Sequence, residues 1–136
     1  MRINKDVVYS LGCLLEIAKA KNKPVNLKEL ARIKGISVDY AEQLLIKLKR
    51  KKIIKSIRGL KGGYLLLRKP QSITLKDIIE AQDSKVLDIV CFKQGRASCN
   101  LRRCNILWVW KELEKKLKAI LSNFKLSDLL KEKVPY

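Results

Sequence analysis

The feature that most constrains this chain is a helical segment followed directly by a glycine-containing hairpin, over residues 37–69. In the first half, Leu44, Leu45 and Leu48 recur at the spacings that predict an amphipathic helix. The second half has two short apolar runs that flank a turn at residues 59–63, which predicts two antiparallel strands. A short helix pair with a hairpin appended is typical of a winged helix-turn-helix. We therefore expect a mainly α fold with a small β-wing and a long C-terminal helix.

The charge of this stretch indicates its partner. Every charged residue between positions 43 and 76 is Lys or Arg, and the 136-residue chain has a net charge of +18. Such an excess attracts phosphates. Thermophilic proteins also enrich lysine, but they enrich glutamate with it, whereas Asp and Glu number only 13 here against 31 Lys and Arg. The charge therefore favours double-stranded nucleic acid as the partner.

Composition also argues against several classes of protein. Histidine is absent, which removes the commonest general base and disfavours an enzyme or a small-molecule substrate. The N-terminal residues do not resemble a signal peptide, and no apolar run is long enough for a membrane span. We therefore expect a cytoplasmic protein with no membrane partner, in which the four cysteines stay reduced and act as ligands or redox groups.

Three helices are predicted in the N-terminal half. The first covers residues 6–21, and its core stripe is predicted to be Val7, Leu11, Leu14, Leu15 and Ala18. This interpretation places Cys13 on the opposite side. Asn26 is expected to cap a second helix that stops at Gly35, and Ser37 to cap the third.

The N-terminal part of the third helix is the predicted reading surface, since the second helix of a helix-turn-helix enters the major groove. Glu42 can accept a hydrogen bond from a cytosine amino group, and Gln43 can make paired bonds to adenine. The alternative is a solvated helix face. The residues predicted to contact DNA here are Ser37, Val38, Asp39, Tyr40, Glu42 and Gln43.

The hairpin is the predicted wing. Arg58 and Lys61 at its tip are expected to reach the minor groove or the backbone, and Gly59 and Gly62 allow close approach of backbone to phosphate. The predicted phosphate contacts are Lys47, Lys49, Lys51, Lys52, Lys55 and Lys61.

The C-terminal third predicts a dimerisation helix. After a capping box at Thr74–Asp77 and a fourth helix ending near Gln82, a long helix is expected over residues 105–124. Its apolar residues recur as in a heptad seam, and pairing with a second subunit is favoured over packing on the chain's own domain. The predicted dimer interface is Ile106, Trp110, Leu113, Leu117, Ile120 and Phe124.

Three cysteines fall in a segment without periodicity. Cys91, Cys99 and Cys104 lack the close pairs of zinc ribbons, and no histidine completes a zinc site. Three soft thiolates suit an iron–sulfur cluster, whereas buried thiols or a redox switch are the alternatives.

These motifs resemble one family. Gly35-Ile36-Ser37, the Arg58-Gly59-x-x-Gly62-Gly63-Tyr64 hairpin and the three cysteines are similar to the winged-helix iron–sulfur regulators that include IscR and NsrR. The resemblance covers residues 1 to about 130. It implies a homodimeric regulator that binds a pseudo-palindromic operator and carries an iron–sulfur cluster, with [2Fe-2S] favoured over [4Fe-4S]. Residues 1–82 would bind DNA, 83–104 would hold the cluster, and 105–136 would form the dimerisation helix and tail.

The fourth cluster ligand departs from this family. Leu107 stands where IscR-like members have histidine, and Val8 where NsrR-like members have aspartate. Cys13 is the leading candidate, and the alternative for it is a small residue packed at the dimer interface. Asp6, an exogenous thiol or water are the other possible ligands. A basic nucleic-acid-binding protein without a cluster is the alternative function.

Overall fold

The structure is a computed structural model that describes residues 2–89 and 106–131. Within those residues, a three-helix unit is followed by a two-stranded hairpin and three further helices. The elements are α1 Lys5–Lys19, α2 Leu27–Lys34, α3 Val38–Arg50, β1 Ile54–Ile57, β2 Gly63–Leu66, α4 Leu75–Ala81, α5 Leu107–Ser122 and α6 Leu126–Lys131. The mainly α architecture with a small wing is therefore confirmed.

The ends of α2 and α3 are fixed by the predicted capping residues. The Asn26 side chain accepts a hydrogen bond from the Glu29 amide at 2.8 Å. Gly35 ends α2 in the left-handed conformation with φ 65°. Ser37 Oγ then accepts from the Tyr40 amide at 3.1 Å. These contacts are local in sequence, so the turn between α2 and α3 follows directly from the residue types.

The wing is an antiparallel hairpin in which Ile54 pairs with Leu66 and Ile57 with Gly63. Strand β2 also bonds to the segment between α1 and α2. The Val25 amide donates to the Tyr64 carbonyl at 3.1 Å, and the Tyr64 amide donates back at 2.9 Å. The end of β2 next to the turn is therefore fixed to the helical unit, while Leu60 in the turn itself is fully exposed.

The core corrects the predicted orientation of α1. Its buried residues are Val7, Ser10, Cys13, Leu14 and Ile17, while the predicted Leu11, Leu15 and Ala18 are only partly buried. The prediction that Cys13 points away from the core is therefore wrong. The reason is that α1 contacts α2, α3, α4, α6 and β2, so its buried face is wider than one stripe.

The C-terminal helices pack on the same core. The Leu75 amide donates to the Phe124 carbonyl and the Leu126 amide to the Ile73 carbonyl, both at 2.8 Å. Leu121 and Leu126 are buried with the residues of α1 and α4.

The predicted division of function among 1–82, 83–104 and 105–136 stays a prediction. Among the described helices, none is long and apolar enough to cross a bilayer.

Candidate nucleic-acid interface

The N-terminal half of α3 exposes the predicted base-reading residues. Val38, Asp39, Glu42 and Gln43 are all exposed, whereas Ala41 between them is buried. On the opposite face, Leu44, Leu45 and Leu48 are fully buried, as the sequence predicts. The helix thus has one face anchored in the core and a polar face directed to solvent.

Tyr40 is the predicted contact that does not share this exposure. Its hydroxyl donates to Asp6 Oδ1 at 2.5 Å, which joins the start of α3 to the start of α1. Its ring stacks edge-to-face on Tyr9 with centroids 5.8 Å apart. The sequence offered no signal for this pairing, because Asp6 and Tyr40 lie 34 positions apart.

The segment 50–61, from the end of α3 to the tip of the wing, exposes six cations that have no ion-pair partner among the described residues. Among the described residues, no carboxylate lies within ion-pair distance of these side chains, and all of them are exposed. The exposed cations are Lys51, Lys52, Lys55, Arg58 and Lys61, together with Arg50, which the sequence interpretation omitted. Arg50 belongs to the same basic run, so the run itself was the available signal.

Two of the predicted phosphate contacts have partners within the chain. Lys47 Nζ lies 3.6 Å from Asp83 Oδ2, a surface ion pair that is weak enough to exchange for phosphate. Lys49 Nζ donates to Ser56 Oγ at 2.8 Å. Because Ser56 belongs to β1, this bond holds the wing beside the C-terminal part of α3.

The glycines of the wing have different structural roles. A Cβ on Gly63 would lie 2.5 Å from the Val25 carbonyl carbon, so only glycine permits the docking of β2. The Gly62 amide donates to the Gly59 carbonyl at 3.0 Å and closes the tip. Gly59 has φ 113° and open space around it, which leaves its backbone accessible.

The cysteines fall into two groups. Cys91, Cys99 and Cys104 lie outside the described residues. Cys13 is described: its side chain is fully buried in the core, and this burial raises the pKa of the thiol. Within the described parts of the chain, no group of three or more potential ligands could hold a metal ion. Since metals bind thiolates, the burial of Cys13 weighs against a role as fourth ligand, which stays a prediction.

The predicted dimer seam is largely exposed. Ile106, Ile120 and Phe124 are each more than half exposed, and Leu113 is 39% exposed. Trp110 is half-buried, and Leu117 packs partly on the core. Helix α5 therefore packs on its own domain through Leu117 and Leu121. It leaves an apolar strip exposed to solvent, which consists of Ile106, Leu113, Ile120 and Phe124.

Comparison with known proteins agrees with this geometry. A family model described as Rrf2, iron-dependent transcriptional regulator, matches residues 3–132. The transcriptional regulator IscR of Klebsiella pneumoniae (strain 342) is 32% identical over 132 residues, which cover 96% of this chain and 80% of that protein. The predicted resemblance to IscR is therefore confirmed. These relatives are named as regulators, which is not a class of enzyme.

Solved structures give the same result for the fold. CymR (YrzC), described as the global cysteine regulator of B. subtilis, matches with a TM-score of 0.76 and 28% identity, covering 98% of this chain and 99% of that one. IscR of T. potens matches with a TM-score of 0.73 and 28% identity, covering 96% and 87%. One similar structure is thus named IscR, and another is described as a global cysteine regulator.

Proposed function

Because this chain belongs to the Rrf2 family of transcriptional regulators, we propose that it binds operator DNA through α3 and the wing. The observation that carries this proposal is that the cations of residues 50–61 are exposed, without a carboxylate partner in the described part of the chain, beside the exposed polar face of α3. The Lys49–Ser56 hydrogen bond keeps these two surfaces adjacent. Glu42 and Gln43 supply hydrogen-bonding groups for base edges, and the cations neutralise phosphates.

In this proposal the protein binds its operator as a homodimer. The apolar strip of α5, centred on Leu113 and Ile120, supplies a surface that a second copy would cover. Two recognition helices would then read half-sites about 34–36 Å apart, or a multiple of that, in a pseudo-palindrome.

We further propose that an iron–sulfur cluster controls operator affinity. The support is the description of the family as iron-dependent and the three cysteines at positions 91, 99 and 104. The cluster would supply a redox-sensitive group whose gain or loss alters the segment between the DNA-binding half and α5. We favour [2Fe-2S], and the fourth ligand stays open, with Cys13 and Asp6 the candidates within the chain.

The experiment combines footprinting with anaerobic purification. A discrete protected palindrome in the promoter regions supports the regulator, and uniform coverage of DNA contradicts it. Iron and sulfide in equal amounts, with a visible absorption spectrum and different operator affinities for holo and apo protein, support cluster control. Equal affinities of the two forms contradict it.

A cluster-free regulator is the second candidate. The observation that favours it is the likeness to CymR, together with Leu107 at the position where IscR-like members have a ligand. In this case the anaerobic protein is colourless and contains no sulfide, yet it still protects a discrete operator.

A further inference from the structure

The contact of interest is the one between Tyr40 and the start of α1. Tyr40 is in the first turn of α3, but its hydroxyl donates to Asp6 Oδ1 at 2.5 Å. Its ring packs against Tyr9 at an interplanar angle of 87°. Lys5 Nζ lies 5.3 Å from the centre of the same ring. Three residues of α1 therefore hold one side chain of α3.

This contact is unusual for its position. The residues around Tyr40 that point to solvent are Val38, Asp39, Glu42 and Gln43, and no described residue holds any of these side chains in place by a hydrogen bond or ion pair. The amide of Tyr40 bonds to Ser37 within the helix start, but this bond fixes only the local turn. Among the described residues, Tyr40 is thus the side chain that joins the first turn of α3, which carries the predicted base contacts, to the rest of the domain by a hydrogen bond.

The hydrogen bond between Tyr40 and Asp6 is of a kind strong enough to hold the Tyr40 side chain in one position. Burial, and then the hydrogen bond to Asp6, raises the pKa of Tyr40, so the phenol stays a proton donor. A donor to an ionised carboxylate makes a stronger bond than a neutral pair does. Its length is at the short end for O–H···O bonds.

We propose that the Asp6–Tyr40 hydrogen bond positions the first turn of α3 for base readout, so that both residues determine operator specificity without contacting a base. The inference rests on the proposed DNA binding. The direction of Glu42 and Gln43 depends on the rotation of that turn about the helix axis, and the bond fixes this rotation against α1. The phosphate-binding cations lie at the other end of α3 and in the wing, so their contacts do not depend on it.

The test uses variants that separate the bond from charge and ring packing. Tyr40→Phe removes the hydroxyl and keeps the ring. Asp6→Ala removes the acceptor, whereas Asp6→Asn removes the same charge and keeps an acceptor oxygen. Tyr9→Phe is the matched control, since no described residue bonds to the Tyr9 hydroxyl.

Two measurements are made on the full chain. The first is the ratio of affinities for operator and for unrelated duplex DNA, with its salt dependence. The second is hydrogen exchange at the Ala41 amide, which donates to the Ser37 carbonyl at 3.0 Å and reports the first turn without DNA.

The proposal expects Tyr40→Phe and Asp6→Ala each to lower the affinity ratio by roughly tenfold, with an unchanged salt slope. The double variant should be no worse than either single variant, because both remove one bond. Asp6→Asn and Tyr9→Phe should keep most of the ratio. Exchange at the Ala41 amide should be faster in Tyr40→Phe, in Asp6→Ala and in the double variant, but not in Asp6→Asn or Tyr9→Phe.

Other outcomes overturn the inference. An unchanged ratio and unchanged exchange in Tyr40→Phe mean that the bond positions nothing. A loss in Tyr40→Phe that Asp6→Ala does not share means that the hydroxyl contacts DNA directly. If the wild-type chain shows no preference for any operator, the proposed function itself has failed, and with it this inference. Faster exchange at Ala41 would then show only that the bond orders the helix start.

Discussion

The wing and α5 both leave surface uncovered in the described chain, but the two surfaces are chemically opposite. On α5 two of the four lysines pair along the helix, with Lys116 4.0 Å from Glu112 and Lys118 3.6 Å from Glu114, while apolar residues stay exposed. In the segment 50–61, Ile53 and Ile54 are buried and the cations have no carboxylate partner among the described residues.

This difference indicates two kinds of partner. Exposed cations with no carboxylate partner in the described parts of the chain favour an external polyanion, whereas an exposed apolar strip favours an apolar surface. A net charge of +18 also opposes association of two copies through the basic surface, so a dimer is expected to form through the apolar strip of α5, where four lysines are partly offset by two glutamates. The predictions below test this division of roles, from the largest expected effect to the smallest.

Removing the wing charges tests the polyanion surface. We replace four lysines by glutamine: Lys51, Lys52, Lys55 and Lys61. Each lost phosphate contact lowers the salt slope of binding by about 0.9, and each subunit of the proposed dimer loses four, so operator affinity should fall by more than roughly a thousandfold at about 0.1 M salt. Fluorescence anisotropy over a salt series measures both values.

The control for this experiment removes the same charge elsewhere. It carries glutamine at four exposed lysines outside the surface: Lys23, Lys111, Lys115 and Lys125. An equal loss of affinity in the control would show that net charge, not the wing, attracts DNA.

Placing a charge in the apolar strip tests the dimer surface. Ile120 is 52% exposed, and Ile120→Glu should give a monomer at micromolar concentration, because the carboxylate would be desolvated in the interface. Operator affinity should fall about a hundredfold, since each monomer reads only one half-site. Light scattering and anisotropy measure the two effects.

Leu129 supplies the matched control. It is 42% exposed on α6, outside the predicted seam, so Leu129→Glu should leave mass and affinity unchanged. A wild-type chain that is already monomeric when bound to the full operator would contradict the role assigned to α5.

Substitution of Gly63 tests how much the close approach of the wing to Val25 contributes to stability. In Gly63→Ala the new Cβ would meet the Val25 carbonyl oxygen at 2.5 Å, so the free energy of unfolding should fall by about 2–3 kcal/mol. Gly59→Ala, which meets nothing within 4 Å, should cost about 1 kcal/mol through its φ of 113° alone. Urea denaturation distinguishes the two; equal losses would mean that the close approach to Val25 has no energetic weight.

The smallest expected effect concerns the reactivity of the Cys13 thiol and its contribution to stability. Its raised pKa keeps the thiol protonated, so alkylation at pH 8 should be slow in the native protein and rapid in urea, measured on the peptide that contains Cys13. Because the folded-state pKa lies above that of the unfolded chain, the stability associated with this thiol is complete at low pH and decreases as pH rises through the folded-state value.

Cys13→Ala also tests the ligand question. A core role predicts a loss of about 1 kcal/mol in unfolding free energy, with unchanged iron and sulfide content and visible spectrum. Loss of the cluster with little loss of stability would instead identify Cys13 as the fourth ligand.

The comparison of the two surfaces also shows where sequence patterns are informative. The basic run, the heptad spacing on α5 and the capping residues Asn26, Ser37 and Thr74 are all local patterns, and the structure has each corresponding element. The predicted ends of α5 differ by two residues at each side, since helix ends depend on weak local contacts.

The errors concern side chains whose neighbours are distant in sequence. Cys13 was assigned to the wrong face of α1, because a single stripe cannot describe a helix that five elements surround. The partners of Lys47 and Tyr40, which are Asp83 and Asp6, were not predictable for the same reason. Periodicity reports which residues share a helix face, but not what covers that face.

The sequence by itself determined the winged helix-turn-helix, its excess of positive charge and the apolar seam, since caps, turns and periodicity act within a few residues. Only the tertiary structure decided which of these side chains are available to a partner. The arginine and lysines at the tip are available, Tyr40 is held by Asp6, and Cys13 is enclosed. Availability depends on packing between elements that are far apart in the chain, and no local pattern specifies that packing.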